Sequence, residues 1–465
     1  MIHILKHTHP HLQSPPSLRA RVGSVLALSL IACGLIVTTI SGALAQEEDA
    51  PKGIEVPVSA QQVKRVLIAL PPAINQGASA DTVGISERLS SGVERALTLS
   101  GYFDFLEREL YPQDPSAEGM NPNFTSWFNA GTQGLVKIAF DLQAGDDVKV
   151  TLKLFDIDQK KPISLAGGVD QTVTLKRDPA VLQAHIARFV NQVVKYYTGT
   201  EGFFGTRIAA IRKVGRNKEL VMVNPDGSRV GTLAKSGGIN LLPSLAKGKI
   251  YFTSYRDGGP NLYLYERGKV SRISGRKGIN MGGVLSPSGG FLAASLSFQG
   301  SSEIYLLNPK SGDVLRRLTR NGRIDISPTW SPDGKKIAFV SDREGSPQIW
   351  VMNSDGSNQK RLTYQGKYNQ SPRWSPNGDL IVFSSRDEKY VFDIFTIDPN
   401  DPSKITRLTQ NQGNNVEPSW SPDGRHIVFS STRTGRSELY IMTSDGFTQR
   451  RLTNGGGFTS PSWGE

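Results

Sequence analysis

Short apolar runs recur through the second half of the chain under a repeating polar punctuation. Residues 337–340, 380–384 and 426–430 are each followed by a loop and then by a second apolar run at 348–352, 392–396 and 438–442. Runs of this length, rich in Ile, Val and Phe and bounded by Gly, Pro, Asn and Asp, predict β-strands. Each pair is preceded by Trp330-Ser-Pro-Asp-Gly334, Trp374-Ser-Pro-Asn-Gly378 or Trp420-Ser-Pro-Asp-Gly424, and each unit ends in Arg-Leu-Thr, at 361–363, 407–409 and 451–453.

The Trp anchors lie 44 and 46 residues apart, and extension finds Leu285 at 45 before Trp330, Leu245 at 40 before that, and Trp463 at 43 after Trp420. With the short strand that ends at each anchor, every unit offers four strands, which is the period of a propeller blade. The fold class expected is an all-β six-bladed propeller preceded by a small α/β domain. Ser-Pro-Asp-Gly makes a turn, in which Pro sets φ, Asp suits the third position and Gly closes the hairpin in the left-handed region. Trp330, Trp374, Trp420 and Trp463 are read as repeat residues that fill space between neighbouring blades.

The ends of the repeat array are complementary. The sequence runs two residues past Trp463, enough for an inner strand, while 207–211, 220–223 and 230–233 read as strands with no anchor before them. Together they make one shared closing blade.

The first half has a different period. A buried-type strand at 66–70 is followed by a helix near 84–99 with Ile85, Leu89, Val93 and Leu97 on one face, and by strands at 103–106, 135–140, 148–155 and 171–175. A second helix, 178–197, places Leu182, Ile186, Phe189, Val190, Val193 and Tyr197 at helical spacing, and Gly199 ends it. His185 on this helix reads as a packing or surface residue. The domains expected are a signal peptide at 1–45, a flexible polar arm at 46–64, an α/β domain at 65–200 and the propeller at 201–465.

Residues 1–45 carry Lys6, Arg19 and Arg21 ahead of an apolar run from Val22 to Ile40, with a small-residue site at 43–45. Cleavage is expected between Ala45 and Gln46. The run would be long enough to anchor the chain if retained, but Gly23, Ser24, Ser29, Gly34, Thr38 and Thr39 dilute it. Residues 30–33 loosely resemble a lipobox; the residues after Cys33 stay apolar, so Cys33 is read as part of the run.

Cys33 is the single cysteine, so a processed chain has no disulfide, thiolate metal site or cysteine nucleophile. Four of six histidines also precede residue 45, leaving His185 and His426. Residues 46–200 carry 15 basic and 19 acidic groups, and residues 201–465 carry 36 and 23, so the basic excess belongs to the propeller. In an exported protein this favours acidic proteins or anionic envelope polymers as partners, not nucleic acid, with solubility alone the plainer reading.

Trp-Ser-Pro-Asp-Gly propellers also resemble the non-catalytic part of prolyl-oligopeptidase-like enzymes. Here no Gly-x-Ser-x-Gly elbow is present, and neither is a His-Glu-x-x-His or Gly-x-x-x-x-Gly-Lys motif. The Asp-Gly pairs at 226–227, 355–356 and 445–446 read as hairpin turns. No enzyme activity, cofactor or metal is expected.

The leader, the α/β domain, the 202–208 junction Gly-Phe-Phe-Gly-Thr-Arg-Ile, the blades and an ending just past an inner-strand Trp together resemble the TolB family of the Tol–Pal envelope system. The resemblance spans nearly all of the processed chain; Leu245 and Leu285, standing where the repeat has Trp, depart from the pattern. It implies a monomeric periplasmic adaptor without catalytic activity. Its propeller would bind the peptidoglycan-associated lipoprotein and its arm TolA, with other outer-membrane proteins as further partners, in support of outer-membrane integrity and constriction during division. The alternative is a secreted glycan- or peptidoglycan-binding propeller.

The residue five places before each anchor is Asn240, Asn280, Asp325, Asn369, Asn415 or Phe458. Asn and Asp at such a point either contact a partner or form turns that start the inner strand. With the variable neighbours Met281, Ile326, Tyr368, Gln370 and Val416, these residues are the expected partner-binding set at one mouth of the channel.

Overall fold

The computed structural model describes residues 65–464, apart from 113, 114, 116, 229, 235–237 and 387–389. The leader, its cleavage site and the arm read from residues 1–64 lie outside the described residues.

The α/β region is a seven-stranded sheet, and its strands β1 (Val66–Ala69), β2 (Ile74–Asn75), β3 (Phe103–Phe105), β4 (Gly134–Leu142), β5 (Asp147–Asp156) and β6 (Lys161–Ile163) run in the order β3-β1-β4-β5-β6, with β2 on β4 and β7 (Val173–Lys176) on β5. Helices α1 (Ile85–Ser100) and α3 (Pro179–Thr198) cover one face, where Leu89, Val93 and Leu97 meet Ile186, Phe189 and Val190 over Val136, Ile138 and Phe140. The helix ends follow from local chemistry. The Asp81 carboxylate accepts from Ile85 N at 3.0 Å and Ser86 N at 2.8 Å, and Asp178 caps α3 ahead of Pro179. Gly101 and Gly199 take left-handed φ at the C-terminal ends.

The sequence did not show β2, β6, the six-residue helix α2 (Phe124–Asn129) or the 3-10 turns at Arg108–Leu110 and Ala166–Gly168, all too short to show a period. Helix α2 seals the second face of the sheet by burying Trp127 against Ala69, Leu135 and Phe155. Beside it Lys137 is fully buried, with Nζ donating to Glu118 Oε2 at 3.0 Å and the Gly119 carbonyl at 2.7 Å.

The rest of the chain forms six four-stranded antiparallel sheets, the blades of a propeller. Blade 1 combines Arg207–Val214, Asn217–Val223 and Val230–Ala234 with the C-terminal strand Phe458–Gly464 as its inner strand, registered Trp463 to Ile208 and Phe458 to Arg212. Each anchor packs into the blade before its own. Leu245 sits against Ala209 and Ile211, Leu285 against Tyr251 and Leu262, Trp330 against Ala293 and Ile304, Trp374 against Ala338 and Ile349, and Trp420 against Val382 and Ile394. Trp463 likewise joins Val428, Leu439 and Ile441, so the last contact is formed like the others.

The 40-residue spacing at blade 2 has a simple cause. Lys247-Gly248 and Arg267-Gly268, all with positive φ, are two-residue hairpin connections, where the later blades spend five or more residues at each such turn except the one after the third strand of blade 5. Elsewhere the Ser-Pro-Asp-Gly turns close as i to i+3 bonds, Gly334 N to Ser331 O at 2.9 Å and Gly424 N to Ser421 O at 2.9 Å. The Asp-Gly pairs close turns too, with Gly227, Gly356 and Gly446 N–H donating to Asn224, Asn353 and Thr443 carbonyls.

Candidate interaction face

Antiparallel order within a blade sorts the loops onto two faces. Turns after the first and third strands lie on one face; loops after the second strand, and from each outer strand to the next inner strand, lie on the other. The α/β region is docked on the turn face at blades 6 and 1. Arg425 Nη1 donates to Thr198 Oγ1 at 3.1 Å, Arg65 Nη2 to Thr448 Oγ1 at 2.6 Å, and Gln183 bonds the Asp226 carboxylate. Buried between them, His426 donates from Nε2 to the Ser100 carbonyl at 2.8 Å, with Phe203 and Tyr102 edge-on at 4.5 and 5.8 Å. Burial holds its pKa below the ordinary histidine value. The opposite face, the mouth, carries the inner-strand starts.

At the mouth, Asn240, Asn280, Asp325, Asn369 and Asn415 are fully buried and Phe458 is 1% exposed. Their polar atoms turn inward. Asn280 Nδ2 donates to the Arg276 carbonyl at 2.7 Å, Asn369 Nδ2 to the Gln365 carbonyl at 2.8 Å, and Asn240 Nδ2 to the Lys218 carbonyl at 2.9 Å. Met281 is buried, whereas Ile326, Tyr368, Gln370 and Val416 keep part of their surface. The ring of Asx residues therefore shapes the mouth loops, and the half-buried neighbours are the ones a partner can touch without rearrangement.

Two further repeats, not recognised in the sequence, lock the mouth. A polar residue at or next to the start of the third strand, Glu303, Gln348, Asp393 or Glu438, is at most 1% exposed. It receives the hydroxyl of the Arg-Leu-Thr threonine, Thr363 to Gln348 at 2.7 Å, Thr409 to Asp393 at 2.6 Å and Thr453 to Glu438 at 2.6 Å. The same acceptors take the Asx amide of the next blade, Asn369 at 2.7 Å and Asn415 at 3.0 Å, so one buried group ties two blades. The Arg of the triplet donates to the threonine carbonyl, and Arg317, Arg407 and Arg451 also pair with Glu303, Asp393 and Glu438.

The second repeat is an arginine after the second strand. Arg343 donates to Asp325 at 2.9 Å, Ser341 at 2.8 Å and Gln359 at 2.7 Å, and Arg433 donates to Asn415 at 3.0 Å, Ser431 at 2.9 Å and Gln449 at 2.9 Å. Their guanidinium groups lie 4.5 and 4.4 Å from the Trp350 and Tyr440 rings. Burial pushes the Asp325 carboxyl up despite the facing Arg343 charge. The signal was in the sequence as a charged residue at a constant offset, but it reads as surface charge until burial is known.

Below the mouth the inner strands narrow the channel to a cavity of about 40 Å³. Its walls are the third residues of the inner strands, Leu242, Gly282, Ser327, Ser371, Glu417 and Ser460, all left-handed and followed by Pro except at Gly282. Each marks a bulge where the ladder to the second strand shifts register. Glu417 accepts from Ser460 N at 2.7 Å and Ser460 Oγ at 2.8 Å, and burial lowers the pKa of Arg373 on the cavity wall while the Glu417 charge opposes the shift.

Comparison with known proteins gives the kinship. Residues 54–163 match the model for the TolB amino-terminal domain, and 194–402 with 390–465 match the TolB beta propeller domain. The chain belongs to the TolB family. The TolB homolog of Chlorobium luteolum is 36% identical over 453 residues, covering 95% of this chain and 98% of that protein. The Tol-Pal system protein TolB of Anaeromyxobacter sp. strain K is 38% identical over 402 residues, 85% and 91% of the two chains. The crystal structure of TolB from Acinetobacter baumannii, 24% identical, superposes with a TM-score of 0.72 over 86% of this chain and 97% of that one, so the TolB architecture is common to both.

Proposed function

We propose that this chain is a periplasmic, non-enzymatic adaptor of the Tol–Pal system. Its propeller mouth binds the peptidoglycan-associated lipoprotein and its arm, residues 46–64, engages TolA, in support of outer-membrane integrity and constriction at division. The reading rests on kinship to Tol-Pal system protein TolB over 85% of the chain. One observation carries the choice of surface. The α/β region occupies the turn face, so among the described residues the mouth, with Ile326, Tyr368, Gln370 and Val416 partly exposed, is the propeller face left open. The buried Asn240, Asn280, Asp325, Asn369, Asn415 and Phe458, with Met281, act in this reading by holding the loops.

The test is calorimetric titration of the processed chain from Gln46 with the soluble domain of the organism's own peptidoglycan-associated lipoprotein, with peptidoglycan fragments in parallel. Saturable one-to-one binding of the lipoprotein is the expected result. Binding of glycan without lipoprotein would overturn the reading in favour of a lectin-like propeller.

A further inference from the structure

The two propeller faces differ in charge in a way the overall excess conceals. On the mouth loops, Arg216, Lys277, Arg320, Arg323, Lys367 and Arg436 are exposed, and none has an ion pair among the described residues. The exposed acids of the same loops are Asp257 and Glu344, and both are already engaged, by Arg272 at 3.6 Å and Arg361 at 2.8 Å. Lys235, Asp387, Glu388 and Lys389, outside the described residues, cancel in charge. On the turn face the described exposed residues balance, four bases against four acids.

Like charges gathered around one opening repel one another, and at physiological salt each is screened only beyond about 8 Å. Among the described residues no carboxylate is paired with this cluster. The arginines that stabilise blades are a separate, half-buried set, Arg343 and Arg433 among them, whose donors are spent on Asp325, Asn415 and nearby side chains. The six exposed cations have no such bond among the described residues.

We infer that the mouth face receives an acidic protein surface, whose carboxylates meet Arg216, Lys277, Arg320, Arg323, Lys367 and Arg436 while a protruding segment enters the channel. This inference rests on the adaptor reading above and names the chemistry of that partner. Concavity favours a protein over a lipid surface. The cations surround an opening that narrows to a small cavity lined by Ser327, Ser371 and Ser460 together with Leu242, Val284 and Pro328, which a flat bilayer would leave empty. Charges at such a rim act chiefly on encounter, raising the association rate while leaving dissociation to the contacts at the centre.

The test follows association and dissociation of the processed chain and the soluble lipoprotein domain by surface plasmon resonance at 50 and 500 mM NaCl. Two variants are compared: Lys277→Glu/Arg320→Glu/Arg323→Glu on the mouth and Arg267→Glu/Lys310→Glu on the turn face. Expected are a fall of about tenfold or more in the wild-type association rate at high salt, and a similar fall at low salt for the mouth variant, with the turn-face variant and all dissociation rates within about twofold. Wild-type binding that ignores both salt and the mouth variant overturns the inference while leaving the adaptor reading intact. Absence of wild-type binding at either salt overturns both. Phosphatidylglycerol vesicles are run alongside: capture that only the mouth variant abolishes, with lipoprotein association unchanged, assigns the face to a lipid surface and overturns the inference.

Discussion

Replacing Trp463 by Ala probes the seam where the ring closes. The indole is 6% exposed, its Nε1 donates to Thr206 Oγ1 at 2.7 Å, and Phe203 meets its face edge-on at 5.0 Å. Through its strand it pairs with Ile208, and through its ring it packs on Val428, Leu439 and Ile441, so one side chain joins blade 1, blade 6 and the entry of the propeller. Truncating a buried Trp costs about 3–5 kcal/mol. Trp463→Phe keeps most of the apolar contact and loses the hydrogen bond, worth about 1 kcal/mol. Against a domain stability of about 5–15 kcal/mol, the Ala variant sacrifices a large share. Trp374→Ala is the control, since Trp374 is equally an anchor but lies far from the seam in a continuous stretch of chain. Urea unfolding followed by far-ultraviolet circular dichroism gives the loss, and amide exchange gives its location. Protection of 207–214 and 458–464 should collapse in Trp463→Ala and persist in Trp374→Ala. A loss below about 1 kcal/mol, or unchanged protection at 207–214, would refute the idea that this strand closes the ring.

Other consequences are more local. His185 is 1% exposed with neither ring nitrogen bonded, and burial, then the Arg188 charge, push its pKa down to about 4 from 6.5. The unfolded chain therefore binds the proton more tightly, and stability is complete above pH 6.5 and lost as pH falls towards 4, by about 3 kcal/mol in all. His185→Leu should flatten this segment of a stability–pH curve measured by urea unfolding. Asp393→Ala strips partners from Thr409, Asn415 and Arg407 at once and should cost about 3–5 kcal/mol, whereas Thr409→Val should cost about 1–2 kcal/mol, both read from thermal and urea melts. Asp325→Asn should stay within about 1 kcal/mol of wild type by the same melts, because Asn415 already supports Arg433 in the matching geometry.

The propeller was legible because its signal is periodic and local. A Trp, a turn and two apolar strands repeat often enough that the weak copies at Leu245 and Leu285 could be placed by spacing alone. The shortened blade 2 needed the positive φ of Lys247 and Arg267 to explain it, since neither residue type advertises a tight hairpin. Helix α2 escaped because six residues hold less than two helical turns, and its one buried side chain, Trp127, gives no period.

At the mouth the sequence left two readings of the Asx positions open, partner contact and turn formation. Asn and Asp at a constant place before each anchor are polar groups at a channel entrance, which is what a contact residue looks like in one dimension. Burial favours the turn-forming reading: an Asx that is fully buried and bonded between blades keeps the loop in place, and what the loop then presents is left to its other residues. Repetition across blades is itself the clue, because a residue that every blade needs serves the ring, while an asymmetric partner can use only what differs from blade to blade. On the adaptor reading proposed above, that criterion assigns recognition to the half-buried Ile326, Tyr368, Gln370 and Val416 and the unevenly spaced cations, and leaves the buried polar ring to hold the shape they depend on.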